Sequence, residues 1–492
     1  MIVCTILSPD VEHFDPLPSD DFANPQEQCP TEFEIYKPVT DNSPKGCVYT
    51  FGTGDCEQLG HTDGELTIFR PERIDSLVQK GIFFVRIAVG GLHNLGLTSE
   101  GTVWSWGCDD DCVLGRKGEE NTPLPVEGLN GIRIGAISAG DCHSAAVDTD
   151  GDVWVWGTYK GQDGYIGFAS DMKKQERPVR LSEVRKYGKA VDVSSGENHT
   201  AVLLEDGKAV IWGFADQGQL GKPITNRSLR GNRGAAATLR PHPLRAYDPD
   251  LISNPPSDAF MSPKPSGFRK RRRKTAEEKF TSVTCVGNST YMTCASGRAF
   301  ACGLNNYGQL GTGDKFNRME PTEISSLRNK GGGVLRIAGG THHALALCKD
   351  GSVYAMGRGD SGQLGLSRSK ENKPPAGCAT VVPLRIPQQF FGGSRILQVE
   401  AGGCFSVALA ANNEIYAWGY GEMGQLGNVT SSDTDTVPDD EVIPYNLSQT
   451  GPELNGVKVL QVGAGGQHTA ILGEDSQSRK GAAPPAKRRK KN

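Results

Sequence analysis

Short apolar runs, each broken by an Asp-Gly or an equivalent turn signal, recur along this chain. In "VDTDGDVWVW" (residues 147–156) an apolar run, a turn pair and a second apolar run follow one another. Asp-Gly between apolar runs is a strong hairpin signal, because glycine takes positive φ without a steric cost. Val103 to Trp106 and Val153 to Trp156 are rich in β-branched and aromatic residues, as a half-buried pleated surface prefers. Each unit therefore predicts a small antiparallel sheet.

The units repeat. Six copies begin with a Gly-containing loop, in most cases ending on His, and finish on a strand-ending glycine: residues 89–107, 138–157, 194–213, 285–303, 338–357 and 401–419. A seventh is split, with "CVYTFG" (Cys47 to Gly52) near the start and "GAGGQHTAIL" (Gly463 to Leu472) near the end. Strand-ending glycines recur at roughly 50 to 60 residues, with one longer interval between Gly213 and Gly303, and "GQLG" follows most of them. Four-stranded units at that period predict an all-β fold, a seven-bladed β-propeller whose ring closes by pairing N- and C-terminal strands. Closure removes exposed sheet edges.

Most of the 63 glycines are then expected in turns and close approaches between blades, and the six tryptophans, Trp104, Trp106, Trp154, Trp156, Trp212 and Trp418, in blade packing. A phosphate-cradling role for strings such as "GTGDCEQLG" is disfavoured, since no helix start follows and no Gly-Lys-Ser/Thr occurs.

Outside the propeller, expected over 46–473, residues 1–45 are Pro- and acid-rich and read as a disordered tail, and 474–492 as a basic tail. A basic insertion at about 222–279 is expected to leave the ring as a long loop. Two dense basic runs stand out: Arg269, Lys270, Arg271, Arg272, Arg273 and Lys274, and Lys487, Arg488, Arg489, Lys490 and Lys491. Such clusters suit an import receptor or nucleic-acid phosphates better than a merely solvated charge run.

Net charge is only −4, so the basic residues are unevenly placed rather than abundant. No apolar stretch reaches the roughly 20 residues of a membrane helix, and no membrane partner is expected. The N-terminus lacks the basic start and the apolar length of a secretory signal. Thirteen cysteines without a Cys-x-x-Cys pair or Cys/His ligand spacing argue for reduced thiols and against a zinc site. No metal or other cofactor is expected.

The repeated "GxxH … DG … WG … GQLG" units resemble the regulator of chromosome condensation family over Cys47 to Leu472. The stretch from Ser138 to Lys174 looks like the blade of that family in which a hairpin replaces the usual "GQLG"; here it reads "TYKGQDGYIG". The resemblance implies a guanine-nucleotide exchange factor for the small GTPase Ran, nuclear and chromatin-associated, serving nuclear transport and mitosis without bond-making chemistry. It implies a wedge at Lys160, Gly161, Gln162, Asp163, Gly164 and Tyr165 that disturbs the GTPase's phosphate site. GTPase-binding positions carry over to Asp55, Asp141, Asn198, Asn306, His342 and His468. Arg227, Arg230 and Arg233 resemble loosely the loop with which the family docks on histones, so nucleosomes, and with them DNA, are expected partners.

This chain departs from the family pattern at three of these positions: Asn198 stands where Asp is usual, and Lys160 and Asp163 where Arg and Asn are. Glu197 is a candidate to replace the missing charge. For His93, His143 and His199 a bracing role in the blade is favoured over partner contact, for His468 the two are evenly balanced, and His342, beside His343, is surplus to the repeat. The rival readings are a chromatin or other partner scaffold without exchange activity, and a light receptor or ligase module of the same repeat superfamily. Fold alone does not choose among them. A hydrolase is disfavoured, because no nucleophile elbow or metal motif occurs.

Overall fold

The computed structural model describes residues 39–40, 42–62, 66–161, 164–169, 171–214, 216–222, 239–246, 277–367, 378–429, 439–449, 452–475 and 478. Seven four-stranded antiparallel sheets make up the ring, with a separate two-stranded hairpin. Blades 1 to 6 begin at Arg86, Ile134, Ala190, Phe280, Val334 and Ile396, and each runs from its first strand outward to its fourth. First strands of successive blades touch all the way round, so they line the axis.

Blade 7 joins the two ends of the chain. Lys458–Ala464 and His468–Glu474 form its inner strands, and Cys47–Thr53 and Thr67–Arg73 its outer ones. The pairing runs from Cys47 opposite Gly473 to Gly52 opposite His468, which is the closure expected from the split repeat. Asp475 locks it. Its carboxylate accepts from Cys47 Sγ and Tyr49 Oη at 3.4 Å each and from Arg73 Nη1 at 3.0 Å.

The recurring tryptophan and "GQLG" explain one another. Trp106, Trp156, Trp212 and Trp418 are fully buried. The last glycine of a "GQLG"-type loop lies under the next blade's indole: a Cβ on Gly60, at φ +76°, would stand 2.7 Å from Trp106. The buried glutamine folds the loop itself, Gln58 Oε1 accepting the Cys56 N–H and Gln309 Oε1 the Tyr307 N–H, both at 2.9 Å. Leu95, Leu97, Val103 and Trp156 then fill the seam between blades 1 and 2, and each large side chain so buried contributes about 1.5–3 kcal/mol.

One expectation about the ring is corrected. Residues 222–279 do not leave it as a single loop, because His242–Leu244 returns as the fourth strand of blade 3, with Ile211 opposite His242 and Ala209 opposite Leu244. Leu239, Leu244 and Ala246 are buried there. The return covers the Ala209–Gly213 edge, whose backbone groups would otherwise lack ladder partners. Among the described residues no helix is long and apolar enough to cross a membrane, and no group of side chains is arranged to hold a metal.

Candidate protein-binding face

Two sets of loops share one end of the propeller. His143 stands opposite Gly157, so the loop entering a blade's second strand lies beside the loop leaving its third. The same register recurs as His93 opposite Gly107, His199 opposite Gly213 and His343 opposite Gly357. Asp55, Asp141, Asn198, Asn306, His342 and the residues after Gly157 therefore gather on one face, although almost 300 positions separate the first of them from the last.

Backbone hydrogen bonds belt these loops together: Gly91 N–H to Gly140 O (3.2 Å), Asp141 N–H to Gly196 O (3.3 Å), Glu197 N–H to Gly287 O (3.0 Å) and Gly466 N–H to Gly91 O (2.9 Å). Side chains form a second, deeper belt. His93 Nε2 meets Ser144 Oγ at 2.8 Å, His143 Nε2 meets Thr200 Oγ1 at 2.8 Å, His199 Nε2 meets Thr290 Oγ1 at 2.9 Å and His343 Nε2 meets Ser406 Oγ at 2.9 Å. Each links one blade to the next. Ser289 and Phe405 occupy the histidine position in blades 4 and 6.

His468 belongs to this belt. It is fully buried, and its Nε2 lies 3.0 Å from Asn94 Oδ1 while Asn94 Nδ2 donates to Gln58 O at 2.8 Å. Its expected contact with a protein partner is thereby corrected: the ring is sealed across blades 7 and 1 by a side chain that solvent does not reach. Burial holds His93, His143, His199 and His343 at a pKa of about 3 and His468 at about 4, so all five are neutral. His342, by contrast, is half-buried on the face, with its ring 4.8 Å from that of Tyr307, and Arg358 Cζ lies 5.2 Å from the same tyrosine ring. Asp360 holds that guanidinium in a bidentate pair, accepting from Nε on Oδ1 and from Nη2 on Oδ2, each at 2.7 Å.

The hairpin of blade 2 rises from this face. Its root is Tyr159, fully buried, with Oη 2.7 Å from Thr200 Oγ1 and its ring edge-on to His143 and Phe168. Lys160–Gly161 then pairs with Gly164–Tyr165; Gln162 and Asp163, at the turn, lie outside the described residues. Lys160 Nζ meets Asp111 at 2.5 Å, and that hydrogen bond holds the ammonium above its usual pKa. Tyr165 is 47% exposed, with Lys174 Nζ over its ring.

Asn198 supports the hairpin from the neighbouring blade. Only 8% exposed, it accepts the Lys160 N–H on Oδ1 at 2.6 Å. Asn198 thus has a place inside the molecule beside the partner contact expected of it. Sequence reasoning missed this role for want of any signal that the two loops touch. Asp55, Asp141 and Asn306 are exposed.

Around them the face is acidic. Burial, then the charges of Asp55, Asp110, Glu120 and Glu57, raise the pKa of Cys56. Burial raises that of Glu197, helped by Asp141 and Asp216. Such a surface favours a basic partner. Arg227, Arg230 and Arg233 and both basic runs, Arg269–Lys274 and Lys487–Lys491, lie outside the described residues.

The family model described as RCC1-like domain matches residues 47–471. The chain belongs to that family. It is 30% identical over 438 residues to the regulator of chromosome condensation of Mus musculus, covering 88% of this chain and 92% of that protein. The guanine nucleotide exchange factor SRM1 of Saccharomyces cerevisiae is 28% identical over 479 residues, covering 88% of this chain and 89% of its own. The family is diverse in function: the ultraviolet-B receptor UVR8 of Arabidopsis thaliana is also 30% identical, over 90% of this chain and 84% of its own. Among solved structures, Prp20p from Saccharomyces cerevisiae, described with its binding to Gsp1p and histones, superposes with a TM-score of 0.72 at 26% identity, covering 91% of this chain and 95% of that one.

Proposed function

We propose that this protein is a guanine-nucleotide exchange factor that binds Ran on the loop face and promotes GDP release and GTP loading at chromatin in the nucleus. The observation that carries the reading is the rooted hairpin. A two-stranded projection tied down by Tyr159, Asn198 and Asp111 stands in an acid-rich face at the blade where "TYKGQDGYIG" replaces a "GQLG"-type loop.

The work required is differential binding. A factor that binds the empty GTPase more tightly than the loaded one must weaken nucleotide binding by the same ratio. An acceleration of about 10⁵ requires about 7 kcal/mol of such preference. Carboxylates such as Asp55 and Asp141 draw in basic residues of the GTPase, while Lys160 to Tyr165 disturb its phosphate loop and magnesium site. Tying the hairpin root to the ring prepays its ordering entropy. No bond is made or broken, and the direction comes from the excess of GTP over GDP in the cell.

The names of two relatives support this reading, one an exchange factor and one a binder of Gsp1p and histones. Against a light receptor, all six tryptophans lie in blade strands and none on the loop face. Arg227, Arg230 and Arg233 are proposed to meet histone carboxylates, and the two basic runs to meet an import receptor and DNA. The test is release of labelled GDP from Ran in excess GTP. Acceleration by substoichiometric protein is expected; release at the intrinsic rate would leave the scaffold reading.

A further inference from the structure

Phe316 is 74% exposed, more than any other large apolar side chain among the described residues. It stands in the loop that joins the third strand of blade 4, Ala299–Gly303, to the fourth, Arg318–Glu323, and that also carries Asn306. We propose that Phe316 anchors the GTPase, its ring entering an apolar pocket on the surface of that protein. The proposal rests on the exchange reading and adds to it a contact away from the hairpin.

The backbone of Phe316 is fixed although its ring is in water. Its N–H donates to Asp314 Oδ1 at 3.0 Å, and its carbonyl accepts from Asn305 Nδ2 at 3.0 Å and from Arg318 Nη1 at 2.9 Å. Asn305 is fully buried, and its Oδ1 accepts the Leu310 N–H at 2.9 Å, which ties the turn to the "GQLG" loop before it. Both neighbouring blades hold the same turn. Asn317 Nδ2 donates to Gln217 Oε1 of blade 3 at 2.9 Å, and the Gly313 N–H to Val381 O of blade 5 at 2.9 Å. A ring on so fixed a backbone has little freedom left to lose on binding.

A lone exposed apolar side chain is ordinary on a protein surface. Phe316 has company: Met319 on the outer strand of blade 4, and Val382 and Leu384 on that of blade 5, Ala379–Arg385, are exposed too. Its position names the partner. Gly303, where the loop departs, stands opposite Ser289 as Gly157 stands opposite His143, so Phe316 belongs to the face from which the hairpin rises. Carboxylates on that face draw a basic partner in, but exposed ion pairs hold it weakly. Slow dissociation needs an apolar group that loses its water on docking. Phe316 supplies one two blades away from the hairpin, so the GTPase is gripped at two separated points.

Binding of the full chain to nucleotide-free Ran is followed by surface plasmon resonance, beside release of labelled GDP from loaded Ran. F316A, which removes only an exposed ring, is expected to keep the unfolding midpoint of the intact chain. It should dissociate from nucleotide-free Ran about fivefold faster or more, with its association rate changed less than about twofold. An intact chain that neither binds Ran nor speeds GDP release overturns the exchange reading and the anchor together. An intact chain that does both, with F316A dissociating less than about fivefold faster or altered only in association, overturns the anchor and leaves the exchange reading standing.

Discussion

The side chain of Asn198 in blade 3 accepts the backbone N–H of Lys160 in blade 2 at 2.6 Å. This bond ties the projecting hairpin to the neighbouring blade, and it requires an acceptor at position 198 rather than a charge. Asn198→Ala removes it and leaves a part-buried N–H unmet, a cost of about 1–2 kcal/mol. GDP release from Ran is expected to slow about tenfold, with the unfolding midpoint of the ring nearly unchanged. Asn198→Asp keeps the acceptor and is expected to retain most of the activity. Equal losses in the two variants, by stopped-flow release, would show that the amide acts otherwise.

Acid should loosen the ring through its histidine belt. Five buried histidines have folded pKa values of about 3 to 4, below the ordinary value of about 6.5. For a depressed histidine the unfolded chain binds more protons, so the stabilisation is full above pH 6.5 and is lost as pH falls from there towards the folded values. At pH 5 each histidine contributes about 2 kcal/mol less than at pH 8. Urea unfolding at the two pH values is expected to show a markedly lower midpoint in acid, and His143→Gln should reduce the difference.

The ring seal at Asp475 provides a separate stability test. Its carboxylate collects Arg73 Nη1, Tyr49 Oη and Cys47 Sγ where the chain's two ends meet, and burial together with its negative charge drives the Cys47 thiol up to about 12. Asp475→Ala leaves the Cys47 and Tyr49 donors buried without that acceptor, while Arg73 keeps Asp75, at a cost of about 2 kcal/mol. Chemical denaturation should record that loss, and the Cys47 thiol should become easier to alkylate at pH 9.

Charge on the loop face should act mainly on the association rate. Asp55 and Asp141 are exposed and surrounded by like charges. Asp141→Lys is expected to lower the association rate with Ran about tenfold at low salt and to flatten its dependence on ionic strength. Surface plasmon resonance across a salt series separates this from a loss in dissociation rate, which would assign Asp141 to a buried contact instead.

The ring was legible because its signals are local and repeated. Asp-Gly turns, "GQLG" and the split seventh unit each recur or complement one another, and the pairing of the chain's two end strands follows from them. His242–Leu244 was hidden because two apolar residues in a basic, Pro-rich stretch carry no periodicity. The fates of adjacent histidines differ for a reason that is also visible in the repeat: His343 takes the bracing position and His342 is left on the face beside Tyr307. His468 was misplaced and the support Asn198 gives the hairpin was missed because their partners, Asn94 and the Lys160 backbone, lie in other repeats, and no single repeat shows which loops meet across a seam.

The exchange reading stands or falls on the hairpin. GDP release from Ran should be measured with the intact chain and with a variant in which Lys160 to Tyr165 is replaced by a short glycine-serine linker, both shown to keep the same unfolding midpoint. The expected result is strong acceleration by the intact chain and a loss of at least a hundredfold in the variant, with Ran still bound through the acidic loops. Full acceleration by the variant, or none by the intact chain, would contradict it.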